Sequence, residues 1–212
     1  MPFRILLTYI LVSGMLFSQD PEELLNKGNI ELESGNLISA EELFNSALKI
    51  DPSFAPALKG LSKLYLHKGN LKKANEFSIE AVQKDEDFRE WSNKITKISE
   101  KIQNGNRNVQ QGQYEEAIKE YNLVSKEHPY FPDAEFYKGL TRFRQKDIDA
   151  AADHFKKTLD IYPEHVKARK GLDNVTKQFL NAGNKSYKRG DVSKATNYYE
   201  KALEFDPEFY LA

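Results

Sequence analysis

"GNKSYKRGDVSKATNYYEKALEFDP" fills residues 183–207, and "GNIELESGNLISAEELFNSALKIDP" fills 28–52. The two stretches have the same length and keep Gly, Gly, Ala, Ala and Asp-Pro at the same offsets, 155 residues apart. A fixed skeleton with changing letters between is the mark of a structural repeat, so the period was sought along the rest of the chain. Ala40, Ala74, Ala117, Ala151 and Ala195 mark one position, at spacings of 34, 43, 34 and 44. Five residues before each stands Gly35, Gly69, Gly112, Lys146 or Gly190, and twelve before each stands Gly28, Ser62, Gly105, Gly139 or Gly183. Four after each comes Phe44, Ser78, Tyr121, Phe155 or Tyr199, and twelve after each Pro52, Glu86, Pro129, Pro163 or Pro207.

Each position has a physical reason. Small residues at the −12 position and at the Ala let two antiparallel helices approach closely. The Gly before the second helix can take the positive φ that ends the first. The aromatic one turn past the Ala shares its face and fills the space that the small residues leave. The Pro cannot continue a helix interior and suits the first turn of the next helix.

This layout resembles the tetratricopeptide repeat, a 34-residue helix–turn–helix unit. The resemblance covers nearly all of 21–209 and implies an all-α fold, an α-solenoid of about five repeats near 21–54, 55–88, 98–131, 132–165 and 176–209. The family's early Trp is absent from every unit, and Ser62, Ser78, Glu86 and Lys146 depart from its pattern in repeats two and four, which are expected to pack less regularly.

Two intervals exceed one period. The extra stretches, "REWSNKITK" (89–97) and "VKARKGLDNV" (166–175), lack Pro and carry spaced apolar residues, so each reads as an N-terminal extension of the following first helix. That predicts helices of about 25 residues near 87–111 and 164–189, each roughly 37 Å long. Trp91 and Ile95 are expected to cover repeat two, and Ala168 and Leu172 repeat four. Nine or ten added residues turn a helix face by roughly 900° or 1000°, so the array should consist of paired modules that change direction at each long helix.

The N-terminus, "MPFRILLTYILVSGMLFSQD", places Arg4 before an apolar run from Ile5 to Phe17. The run is too short to cross ~30 Å of hydrocarbon and suits the core of a secretory signal over 1–18, with the mature solenoid over 19–212. Export to a periplasm or cell envelope, or secretion, is the expectation. The chain has no Cys, which excludes lipid attachment after that run as well as disulfides and thiolate metal sites. With 31 basic and 32 acidic residues in mixed order there is no strong net field, and nucleic acid is not an expected partner. At the other end "DPEFYLA" (206–212) parallels "DPSFAPA" (51–57), as though a further unit or cap were beginning, which suggests self-association through that end, or a docking or regulatory N-terminal part of a longer envelope protein or of an enzyme whose catalytic domain lies beyond residue 212.

No motif for chemistry rises above the repeat. His67, His128, His154 and His165 form no HExxH or i, i+4 pair and read as solvated surface residues. The glycines are accounted for by repeat positions, and no nucleophile elbow appears. The expectation is therefore no catalytic residue, no cofactor and no metal. The resemblance implies a protein- or peptide-binding groove lined by the first helices. Carried over position by position, it assigns to that groove Asn29 and Leu32 from repeat one, Lys59 and Lys63 from repeat two, and Asn106 and Gln110 from repeat three. Repeat four gives Phe136, Leu140 and Phe143, and repeat five Asn184, Lys188 and Arg189. The amides suit the backbone of an extended peptide, the Phe pair an apolar pocket, and Lys188 with Arg189 a carboxylate. The alternative is that Asn after Gly belongs to packing within the repeat. The clamp used by chaperone-tail-binding members is absent: Asn29 matches one position, but Leu25, Gly60, Ser99 and Gln103 stand where clamp residues belong.

Overall fold

A carboxylate starts the first hairpin. Asp20 accepts the Glu22 N–H at 3.2 Å, and Pro21 takes a first-turn position where its missing N–H costs nothing. In the computed structural model, which describes residues 20–205, ten α-helices follow in five hairpins. They are α1 (Pro21–Glu33) with α2 (Leu37–Ile50), α3 (Ala55–His67) with α4 (Leu71–Lys84), α5 (Arg89–Gln110) with α6 (Tyr114–Glu127), α7 (Pro132–Arg144) with α8 (Ile148–Ile161), and α9 (Val166–Lys188) with α10 (Val192–Phe205). A short 3₁₀ turn, Glu86–Phe88, precedes α5. The expected signal segment 1–18, with Gln19, and the stretch 206–212 that parallels 51–57 lie outside the described residues.

The hairpin turns share one geometry. In the first, Asn36 N–H bonds back to Glu31 C=O at 2.8 Å, and Gly35 sits at φ 81°. This helix-ending motif recurs at Gly69, Gly112 and Gly190, and at Lys146, which takes φ 64° although it is not glycine. The repeat-four departure is thus absorbed as backbone strain at one residue. Between repeats, residues three apart close a tighter turn: Phe54 N–H to Asp51 C=O at 3.1 Å, Phe131 to His128 at 3.0 Å, and His165 to Tyr162 at 3.1 Å.

The period Ala residues are all buried, at 0–1% exposure. In repeats one, three, four and five the glycine twelve before each Ala faces the aromatic ring. A Cβ on Gly28 would lie 2.6 Å from Phe44 Cε1, on Gly105 2.3 Å from Tyr121 Cε1, and on Gly139 2.7 Å from Phe155 Cε1. The next repeat closes on the same rings, Gly60 on Phe44 and Gly171 on Phe155. Each of these aromatics therefore welds two repeats, and burying such a ring contributes about 2–3 kcal/mol.

Repeat two lacks that ring and replaces it from outside. Ser78 stands at the aromatic position, fully buried. The Trp91 indole Nε1–H donates to Ser62 Oγ at 2.9 Å, and Ser62 Oγ–H donates to Ala74 C=O at 2.7 Å. Trp91 occupies the place that Ala57, Ala134 and Ala168 hold after the other inter-repeat turns, so two departures from the pattern compensate one another.

The long helices α5 and α9 span 22 and 23 residues and run unbroken through Gly105 and Gly171. Their starts keep the register of an ordinary first helix: Gly171 stands five residues into α9 and meets Phe155, as Gly60 stands five into α3 and meets Phe44. The first half of α9 thus docks on repeat four, through Ala168, Leu172 and Val175, while Phe179 and Gly183 pair with α10. Likewise Trp91 and fully buried Ile95 close repeat two before α5 turns to α6.

Candidate functional site

The expected groove was traced through the residue eleven before each period Ala: Asn29, Lys63, Asn106, Leu140 and Asn184. All five are half-buried or exposed. Asn106 Oδ1 accepts the Tyr121 hydroxyl at 2.9 Å, and Asn184 Oδ1 accepts that of Tyr199 at 2.8 Å. Both amides therefore belong to repeat packing through their oxygens. Their NH2 groups remain as donors, and Asn29, which faces Phe44 in place of a Tyr, has no hydroxyl to hold. Gln110, Lys188 and Arg189 are exposed, while Leu32 is buried in the first core cluster.

Lys59 and Lys63 are half-covered by the start of α5. Lys59 Nζ lies 5.5 Å from the Phe88 ring centroid, and Lys63 Nζ lies 5.9 Å from that of Trp91. Burial, with Lys59 nearby, lowers the Lys63 pKa, and Glu33 opposes the shift.

The apolar pocket expected in repeat four is not there. Phe136 is only 6% exposed and is wedged among Phe155, Tyr137 and His165, with ring centroids 5.9, 5.6 and 5.0 Å away. Phe143 is half-buried and packs against the same core cluster, so Leu140, 38% exposed, is the most exposed of the three. Sequence spacing located these residues on the helix. It did not show that the α8–α9 loop lies over Phe136.

The histidines depart from the surface reading as well. His165 is 6% exposed: its Nδ1 accepts the Ala168 N–H at 3.0 Å as a helix cap, which leaves the Nε2–H to donate to Asp133 Oδ1 at 2.7 Å. His154 Nδ1 lies 2.8 Å from Glu135 Oε2, and the same carboxylate pairs with Lys138. His67 stacks on Tyr130 with centroids 4.4 Å apart, and burial drives its pKa down to about 4. His67, His165 and His128, whose Nδ1 lies 3.3 Å from the Tyr130 hydroxyl, sit where the repeat-two turn meets the loops before α7 and α9.

That meeting forms two adjoining clefts of about 570 and 500 Å3. The first lies between the α1–α2 turn (Gly35–Ser39) and Ile161–Glu164, the second between Lys68–Lys72 and Tyr162–Lys167, with Asp133 and Tyr137 in its wall. Gly69 presses against the Asp133 carboxylate, where a Cβ would be 2.6 Å from Oδ1. Repeats that are far apart in sequence are therefore neighbours, a feature for which the one-dimensional period gave no signal. Among the described residues no three His, Asp or Glu side chains are grouped to hold a metal.

Residues 31–98, 102–166 and 181–209 match models of the tetratricopeptide repeat. Among solved structures, the chain is similar to the MamA protein, at 21% identity over 89% of this chain and 92% of that one, with a TM-score of 0.32. It is also similar to YrrB, described as a TPR protein with an unusual peptide-binding site, at 21% identity over 91% and 89%, with a TM-score of 0.31. A tetratricopeptide repeat protein from Parabacteroides merdae matches at 22% identity over 90% of this chain and 68% of its own, with a TM-score of 0.35.

Proposed function

The chain is built of tetratricopeptide repeats, and from that premise we propose that it is a non-enzymatic scaffold, exported to the cell envelope, that holds a peptide or partner protein along its first helices. The observation that carries this reading is the row of donors on the first helices of repeats one, two, three and five, interrupted by Leu140 in repeat four. The NH2 groups of Asn29, Asn106 and Asn184 alternate with Lys63, and Lys188 and Arg189 stand at the far end. Such a row can pair with the carbonyls of an extended chain without reading its side chains, and the two cations can take a carboxylate.

The test is affinity capture from an envelope extract with the full chain and with a Gln110→Ala/Leu140→Ala/Arg189→Ala variant. All three residues are exposed, so helicity should be unchanged. Loss of captured partners by the variant is expected, and equal capture would refute the groove. Recovered chain should begin at Gln19; an intact Met1 in a cytoplasmic fraction would remove the export part of the proposal.

A second reading, self-association or docking within a longer protein, draws on repeat five. Tyr187 is 65% exposed and Val192 60%, whereas Leu32, the counterpart of Tyr187 in repeat one, is buried at 5%. Something packed on that face would restore the burial that the other repeats enjoy. Reading the gene for an in-frame continuation separates the two forms.

A further inference from the structure

We infer that the outer side of the first half of α9 is a docking site for an acidic helix of a protein partner. The inference rests on the scaffold reading above but uses a different surface. In an ordinary repeat the first helix is flanked by its own second helix: Ser62 and Leu66, seven and eleven residues past the start of α3, are fully buried, and Ser62 bonds to Ala74 of α4. The corresponding residues of α9, Asp173 and Lys177, are exposed, because α10 pairs only with the later half of that helix. Among the described residues this side of α9 beside repeat four is thereby left uncovered.

That side is basic. Across α9 the cations are Lys167, Arg169, Lys170, Lys177, Lys185 and Lys188, against Asp173 as the one acid. At ~100° per residue, Lys170 and Lys177 point within about 20° of one another, with Asp173 about 40–60° to one side and Lys167 and Lys185 about 60–80° to the other, along roughly 27 Å. Among the described residues no carboxylate lies within 4.0 Å of any of these four amines. The matching row on α5, Thr96 and Glu100, is neutral to acidic, and Glu90 there already pairs with Lys94 at 2.8 Å. Exposed Val166, 64% accessible, stands at the N-terminal end of the α9 row. A narrow row with an apolar end matches a helix carrying Glu or Asp every three to four residues. A nucleic acid or lipid surface would call for a broader basic patch.

The test is fluorescence anisotropy of the full chain with a labelled alanine-based peptide of about 20 residues bearing Glu at every third and fourth position. The comparison ligands are single-stranded DNA of similar length and vesicles with about 30% phosphatidylserine. Binding of the peptide should weaken steeply between about 50 and 300 mM salt, and Lys170→Glu/Lys177→Glu should reduce it about tenfold or more while Lys126→Glu on α6 leaves it unchanged. Peptide affinity unchanged in the double variant, or DNA or vesicles bound more tightly than the peptide, would overturn the inference. Neither variant touches the groove row, so acidic-peptide binding unaffected by the double variant, with envelope capture lost by the groove variant, would sink this site and leave the scaffold proposal standing.

Discussion

Gly105 shows how much one absent side chain decides. The Tyr121 ring lies over it, only 1% exposed and pinned by its hydroxyl to Asn106 Oδ1, so the ring cannot swing away. Burial also raises the Tyr121 hydroxyl pKa to about 12, which keeps it a donor at any ordinary pH. Glycine inside a helix normally costs about 1 kcal/mol against alanine, yet here any Cβ would overlap the ring. Gly105→Val is therefore expected to destabilise by about 2–3 kcal/mol despite relieving backbone freedom, measured as a shift in denaturant midpoint. Adding Tyr121→Ser should recover part of the loss, as the Ser62–Ser78 pair of repeat two suggests. If the double variant is as unstable as the sum of its parts, the ring is not the obstacle.

At the level of the element, the first half of α5 serves as lid and filler for repeat two. Trp91 fills the hole that Ser78 leaves and satisfies Ser62 with its N–H, so Trp91→Ala should cost about 2–4 kcal/mol by thermal melting. Trp91→Phe should cost less, since it keeps the packing and loses one hydrogen bond. A cost for Trp91→Ala under 1 kcal/mol would mean the packing assigned to it is wrong. This element also marks where sequence reading stopped. The period, the two long helices and their continuity through Gly105 and Gly171 followed from spacing, because one helix turn repeats along one axis. The compensation between Ser78 and Trp91 did not, since each looks like a flaw within its own repeat. In the groove, spacing did not decide between peptide binding and packing for Asn106 and Asn184, whose oxygens hold the Tyr121 and Tyr199 hydroxyls. It could not foresee that Phe136 would be covered by His165, a residue from the next loop.

For the whole molecule, the contact between the first and second paired modules is the part least visible in a one-dimensional pattern, because it depends on how far α5 rotates the second module against the first. His67 of repeat two stacks on Tyr130 of the α6–α7 loop there, and His128 Nδ1 lies 3.3 Å from the same tyrosine's hydroxyl. Burial lowers the pKa of both imidazoles, that of His67 to about 4 with Lys63 adding to the effect. A folded-state pKa below the unfolded value of about 6.5 means that the unfolded chain binds more protons between the two. Stability should hence be full above about pH 6.5 and decline as pH falls from there toward about 4. The upper part of that window lies above the range in which the lowered carboxyls of Glu41 and Glu135 begin to contribute. Melting temperature measured between pH 7.5 and 5 should fall for the natural chain and fall less for His67→Gln, which keeps a planar polar group against Tyr130 without the charge. Equal slopes for the two chains would show that the stack is solvated in solution. The modules would then not be held together at the tip of repeat two.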